Sequence, residues 1–297
     1  MMGAMDGSAA RLAPTRIGPR TFRWGERTFV MGILNVTPDS FSGDGLGNRP
    51  DQVAAAVAQA RRMVADGADL LDVGGESTRP GHAPVSAAEE VARVVPAISA
   101  IRAALPDVPI SIDTTKPEVA EAGLDAGADM VNDIRGVGPA SLAGVAAARG
   151  VPVVLMHNRV KPVYRDVVAE VVADLRAAVE RAEAAGVPRA SIIVDPGIGF
   201  GKTADHNLAL LRDLGALRVL GLPILLGTSR KSTLGRLLDL PEGERVESTL
   251  ATTALGIASG ADIVRVHDVR ENMRTARVAD AIARGWRPDG WPAGGTG

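Results

Sequence analysis

The 297-residue chain contains no cysteine. It can build no disulfide framework, thiolate metal site or cysteine nucleophile, and the absence fits a reducing cytoplasm. Charge of one sign is missing too: 33 Lys and Arg stand against 35 Asp and Glu, a net charge of −2. No overall positive field exists to hold nucleic acid or an anionic membrane. No apolar run approaches the ~18 residues that a membrane span needs. Residues 1–20 hold no continuous apolar segment, so they read as a flexible tail and not as a secretory signal. Outside the last strand end, His82, His157 and His206 lack metal-ligand spacing, so no structural zinc is expected. What remains is 46% hydrophobic and 23% charged, enough apolar material for a sizeable core. The expectation is a soluble, cytoplasmic, compact protein.

Short apolar runs alternate with Ala/Arg/Glu-rich stretches. The runs are Val30–Asn35, Asp69–Val73, Ile110–Asp113, Asp129–Asn132, Val151–Met156, Ile192–Asp195, Pro223–Gly227 and Ile263–Val266. They are nearly continuous in hydrophobicity, as strands buried on both faces of a parallel sheet are. Between them, apolar residues recur at helical spacing, as at Val91, Val94, Val95, Ile98 and Ile101. Several helices close with Gly67-Ala-Asp69, Gly127-Ala-Asp129, Gly186-Val-Pro188 or Gly260-Ala-Asp262, where glycine supplies a left-handed terminus. The polar ends of the runs recur about every 33 residues, and a βαβ unit needs roughly 30 or more. The pattern predicts an α/β fold, a single (β/α)8 TIM barrel over residues 21–286; a doubly wound open sheet is the alternative. The segment from Thr21 to Val30 reads as a β-hairpin capping the barrel floor. Residues 287–297 read as a second flexible tail.

Nearly every run ends in a polar group: Asn35, Asp72, Asp113, Asn132, His157, Asp195, and Arg265 with His267. Each alone could be a helix N-cap, since Asp and Asn favour that position. A barrel, however, gathers its strand ends at one rim, where active sites form. Asp113, Asn132 and Asp195 offer two carboxylates and an amide, suited to the edge of a 2-amino-4-oxo pyrimidine ring. Arg265 can lie over a heterocycle and Met156 can pack on its face. Lys231 can donate to a ring carbonyl or nitrogen; its place just after a strand end and Gly227 favours this over a solvated surface charge. Thr78, Arg79, Arg265 and His267 suit a phosphate-like anion, and Asn35 could give one oxygen to a hydrated Mg2+. The run Gly197-Ile-Gly-Phe-Gly-Lys202 lacks the Walker spacing and is not read as a P-loop.

Eight motifs now stand in order: Gly32-Ile-Leu-Asn-Val-Thr-Pro-Asp-Ser-Phe-Ser42, Asp72-Val-Gly-Gly-Glu-Ser-Thr-Arg-Pro-Gly81, Ser111-Ile-Asp-Thr-Thr-Lys-Pro117, Val131-Asn-Asp133, Leu155-Met-His157, Asp195-Pro-Gly-Ile-Gly-Phe-Gly201, Gly227-Thr-Ser-Arg-Lys231 and Arg265-Val-His-Asp-Val269. Together they resemble the dihydropteroate synthase family. The resemblance implies a pterin-binding barrel that joins 4-aminobenzoate to (7,8-dihydropterin-6-yl)methyl diphosphate, releasing diphosphate. It also implies Mg2+ and a homodimer, in a family that is the target of sulfonamides. By motif position Asp113, Asn132, Met156, Asp195, Lys231 and Arg265 would hold the pterin, and Asn35, Thr78, Arg265 and His267 the diphosphate, with Asn35 on the metal. Phe41, Thr78, Arg79, Pro80, Phe200, Lys231 and Ser232 would enclose the aminobenzoate. Asp113, Lys231, Arg265 and His267 would carry the catalytic roles. The loops 37–47 and 77–84 would close during turnover.

Two departures from the family's pattern stand out. Asn158-Arg-Val-Lys-Pro-Val-Tyr164 replaces the usual segment after His157, and the acidic residue of Ser42-Gly-Asp-Gly45 comes one place late. A methyltetrahydrofolate-dependent methyltransferase, or a pterin-binding paralogue without catalysis, would share the Asp and Asn ring contacts.

Overall fold

The computed structural model describes residues 12–37, 49–76, 84–136, 138 and 141–291. Eight parallel strands form its centre: β3 (Phe29–Asn35), β4 (Leu70–Gly74), β5 (Ile110–Thr114), β6 (Met130–Asp133), β7 (Val153–Met156), β8 (Ile192–Asp195), β9 (Leu225–Leu226) and β10 (Ile263–Val266). Sequential strands pair from β3 to β8, β10 pairs with β3 and β9, and a Val194–Ile224 bridge joins the two ends. The sheet is therefore a closed barrel, and the open-sheet alternative falls away.

The helices wrap the outside: α1 (Arg49–Ala65), α2 (Ala87–Ala104), α3 (Pro117–Asp125), α4 (Ala143–Arg149), α5 (Val167–Ala184), α6 (Ala204–Arg212), α7 (Ser232–Leu238), α8 (Val246–Ala258) and α9 (Val269–Ala283). Their starts follow local chemistry. Ser86 caps α2, Asp166 caps α5, and Thr203 and His206 cap α6 reciprocally. Gly67, Gly127, Gly186 and Gly260 take positive φ, from 99° to 113°, as their place after helices predicted. Among the described residues, no helix is long and apolar enough to cross a membrane.

The hairpin lies earlier than the sequence suggested. It pairs β1 (Thr15–Ile17) with β2 (Arg20–Phe22), while Phe29 and Val30 belong to the first barrel strand. Residues 15–20 are therefore part of the domain and not of a tail. Burial explains the difference: Ile17, Phe22 and Trp24 are needed to close the barrel bottom against Met31, Leu70, Met130, Val154, Ile193, Leu225 and Ile263. Phe22 stacks 5.8 Å from Trp24 and lies 4.7 Å from Phe29. Each such ring removed from water contributes about 2–3 kcal/mol. Trp24 Nε1 donates to Thr15 Oγ1 (3.0 Å), which donates to the carbonyl of Ala190 (2.6 Å), so the plug is also tied to the barrel wall.

Candidate active site

Strand alternation decides which polar groups enter the barrel. Side chains two residues apart share a face. Leu70, Met130, Ile193 and Ile263 lie in the interior floor cluster, whereas Leu71, Val131, Val194 and Val264 join the layer under the helices. Two residues beyond each interior side chain stand Asp72, Asn132, Asp195 and Arg265. The same count on β7 carries Val154 to Met156, and on β5 Ser111 leads to Asp113. The barrel is thus apolar at the bottom and polar at the mouth. Asp133, one residue past Asn132, faces outward. It accepts from Ser141 Oγ (2.8 Å) and from the amides of Leu142 (2.7 Å) and Arg135 (2.9 Å). Asp133 thus ties the loop that leads into α4, while Asn132 and Asp113 cap no helix and point into the mouth.

At the mouth, Arg265 bridges two carboxylates. Its Nε donates to Asp72 Oδ2 (2.5 Å) and its Nη2 to Asp113 Oδ2 (2.6 Å); Asn132 Nδ2 also donates to Asp72 Oδ2 (2.9 Å). Asp72 Oδ1 and Asp113 Oδ1 are buried without a hydrogen-bond partner. Buried polar atoms left this way are costly unless something binds there. Arg265 thus uses one oxygen of Asp113 and leaves the other for a ligand, so the carboxylate can receive a bidentate ring edge only by sharing Arg265.

Asp195 closes the same hollow from β8. Its Oδ1 accepts from the Gly197 amide (2.7 Å), and a Cβ on Gly227 would lie 3.9 Å from both Asp195 Oδ2 and Arg265 Cβ. Glycine at 227 therefore keeps open the space between them. Met156 is level with Asp195 in the β7–β8 register. Lys231, at the start of α7, places its ammonium 4.0 Å from the centre of the half-buried Phe200 ring.

Burial dominates the electrostatics. It pushes Asp113 up to about 7, with Asp72 and Glu90 adding to the shift against the pull of Arg265 and Lys231. It raises Asp195 to about 6 despite the Gly197 amide and the nearby cations. It lowers Lys231 to about 8, Arg265 repelling it while Asp195 and Asp113 hold it up. Burial also opposes the charge on Arg265, but Asp72 and Asp113 outweigh it and keep that guanidinium charged. Shifted groups clustered inside one hollow mark it as a candidate binding or catalytic site.

The structure gathers Asp113, Asn132, Asp195, Lys231, Arg265, Met156 and Phe200 around one mouth. Asn35 ends β3 at the same rim, beside Gly74 of β4. His267 lies just past β10, its Nδ1 2.9 Å from Ser229 Oγ and its amide donating to that oxygen at 3.1 Å. Ser232 is exposed on the first residue of α7. Phe41, Thr78, Arg79, Pro80 and the segment Ser42–Gly45 lie outside the described residues.

Two participants were not assigned from sequence. Asp72 was only one of several polar strand ends, and its period-two spacing from Leu70 is the signal that places it inside. Lys202 follows three alternating glycines, the signal of a loop wrapped around something. Its ammonium lies 2.9 Å from His157 Nδ1 and the Gly197 carbonyl and 3.0 Å from the Phe200 carbonyl.

The family model described as "Pterin binding enzyme" matches residues 31–267. A dihydropteroate synthase of Clostridium beijerinckii is 51% identical over 271 residues, covering 91% of this chain and 99% of the relative. The structure of a dihydropteroate synthase from Clostridium difficile in the presence of pteroic acid superposes with a TM-score of 0.85 at 47% identity, covering 89% of this chain and 99% of that one. A Xanthomonas albilineans dihydropteroate synthase with 4-aminobenzoic acid also gives 0.85, at 42% identity, over 91% and 98% of the two chains.

Proposed function

From the chain's membership of the dihydropteroate synthase family of pterin-binding enzymes, we propose that it joins 4-aminobenzoate to a dihydropterin methyl diphosphate at the barrel mouth, forming dihydropteroate and diphosphate. The observation that carries this reading is the buried Asp113 carboxylate, which gives one oxygen to Arg265 and keeps the other unpartnered. A pterin presents adjacent N–H donors, and Asp113 and Asp195 can accept them while Asn132 faces the amide edge. Lys231 donates to the ring carbonyl side, and Met156 and Arg265 border its faces.

Loss of the leaving group breaks the C–O bond at the pterin methylene, the electron pair departing with diphosphate. Asp113 and Asp195 favour the positive charge that the ring then carries. Arg265 and His267 meet the departing anion. The arylamine lone pair forms the new C–N bond and its proton goes to solvent, so no strong base is needed.

Among the described residues, no three His, Asp or Glu side chains could hold a metal ion. Asn35 offers a single amide oxygen at the rim. That donor set fits Mg2+ only as a mostly hydrated ion shared with substrate oxygens; when bound, it would neutralise diphosphate charge. Phe200, Lys231 and Ser232 supply the described part of the aminobenzoate enclosure. A sulfonamide with the same arylamine would compete there. The expected homodimer has candidate surface in exposed Leu237, Leu238, Leu255, Val278 and Ile282 on α7, α8 and α9.

The test is diphosphate release with each substrate alone and with both. Release with dihydropteroate formation only when both are present supports the proposal. Pterin binding without turnover would identify a non-catalytic paralogue, and a corrinoid-dependent methyl transfer would identify the methyltransferase; either result overturns it.

A further inference from the structure

Lys202 is mostly buried, yet it lies beyond the reach of the ring-binding carboxylates' hydrogen bonds. Its acceptors are His157 Nδ1, the carbonyls of Gly197 and Phe200, and at 3.3 Å the carbonyl of His157. An ammonium has three protons, and the three shorter contacts use them. Burial lowers the Lys202 pKa to about 7, with Asp195 and Asp174 holding it up against Arg159 and Lys231, and the histidine is in the state that matches the charged form. Burial and the Lys202 charge lower its pKa to about 4, so Nδ1 accepts and Nε2–H faces Asp174 Oδ2 at 3.1 Å.

The backbone is shaped around this cation. Gly197 and Gly201 both take positive φ, and a Cβ at either would run into a carbonyl oxygen, that of His157 or of Arg159. The turn after β8 and the segment after β7 therefore lie backbone against backbone. That second segment is the one in which this chain departs from its family's pattern. Tyr164 donates to the Gly201 carbonyl (2.9 Å), and Arg159 stacks 4.6 Å over the Tyr164 ring while pairing with Asp174 (2.7 Å) and Glu170 (2.7 Å) of α5. On the other side, the Gly199 amide donates to Asn207 Oδ1 (2.9 Å), and Asn207 Nδ2 donates to Thr233 Oγ1 (2.8 Å) on the helix that begins after Lys231. Phe200 sits in the middle of the turn, with Lys231 on its ring.

We propose that Lys202 is a positioning residue: its ammonium gathers the Gly197 and Phe200 carbonyls and His157 Nδ1 into one nest and so sets the Phe200 ring against Lys231 on the aminobenzoate side of the site. The inference rests on the assignment of Phe200 and Lys231 to that substrate. Asp195 is fixed by β8 and reaches only the first amide of the turn, so the pterin side depends on the nest far less.

Lys202→Met keeps an unbranched side chain, one atom shorter, and removes every donor. The expected result is a rise of about tenfold or more in the KM for aminobenzoate. The kcat, and the Kd for the pterin diphosphate by calorimetry, are expected to stay within about threefold of wild type. A folded variant with unchanged aminobenzoate KM overturns the proposal, and so does an equal loss of affinity for both substrates. If Lys202→Met does not fold, Tyr164→Phe decides. It removes one outer tie on Gly201 and is expected to raise the same KM roughly two- to threefold; no change overturns the proposal. Wild-type protein is the control: failure to form dihydropteroate at all sinks the functional reading and this inference together, whereas an active wild type with indifferent variants sinks only the latter.

Discussion

The two ends of the barrel bury carboxylates of the same type in opposite ways. At the floor, Asp69, Asp129 and Asp262 each follow a Gly-Ala pair and each accept the amide of a neighbouring strand or strand entry: Val30 (2.9 Å), Ile110 (2.9 Å) and Ile224 (3.1 Å). Each also faces an arginine, Arg27, Arg102 or Arg284. Arg284 is the loosest, its Nη1 3.8 Å from Asp262 and without a hydrogen bond. At the mouth, Asp72 and Asp113 share one arginine, and each keeps an oxygen with no partner. The floor spends its carboxylates on strand register and stability. The mouth leaves hydrogen-bonding capacity that a ligand with donors in the right place can use.

The sharpest way to break the comparison is one truncation at each end. Asp113→Ala is expected to lower kcat/KM by about 10²-fold or more and to abolish measurable pterin diphosphate binding in calorimetry. Its thermal melt should fall less than that of Asp129→Ala, because Arg265 keeps Asp72 as a partner while the burial cost of the Asp113 carboxyl is removed. Asp129→Ala should do the reverse. It frees the Ile110 amide and a partly buried arginine, costing about 2–4 kcal/mol in denaturant unfolding, while the folded fraction keeps wild-type KM values. Normal pterin affinity in Asp113→Ala would remove that residue from the site.

Proton release sharpens the contrast next. With burial holding Asp113 near 7 and Asp195 near 6, both folded-state values lie above the ordinary carboxylate range. Such groups favour the folded chain below their unfolded pKa, and this contribution is lost as pH rises through about 6 to 7. Ligand N–H donors instead need the ionised form. Pterin binding near pH 6 should therefore release up to about one proton per carboxylate, and affinity should fall up to about tenfold per pH unit for each group on the acid side. Calorimetry in two buffers of different ionisation enthalpy measures the protons directly; no release at pH 6 would mean that the carboxylates are already ionised in the free protein.

Much of this was legible in the sequence, and the limits have physical causes. The eight runs and their spacing predict the barrel because parallel strands are apolar on both faces. Asp113, Asn132, Asp195, Lys231 and Arg265 are legible because strand ends share one rim. The hairpin was misplaced because Thr21–Val30 has good strand composition, whereas only the closed barrel reveals that Ile17 and Phe22 must fill its bottom. The Asp of each Gly-Ala-Asp read as an accessory to a helix end, since a bond from its side chain to the next strand is a tertiary fact. Lys202 was hidden for the same reason: its partners His157 and Phe200 are near it only after the turn has closed.

The smallest expected effect tests the floor by its surface partner. Arg27 donates to both oxygens of Asp69 (2.7 and 2.9 Å) and lies 4.2 Å from the Phe29 ring centre, but it is itself about a quarter exposed. Arg27→Ala removes a screened ion pair and a modest ring contact, while Asp69 keeps the Val30 amide and access to water. The loss should be about 1 kcal/mol, a melting shift of roughly 2–4 °C for a domain of this size, with kinetics unchanged. A shift several times larger, or any change in KM, would mean that floor and mouth are not separable and that strand register at the bottom controls the hollow at the top.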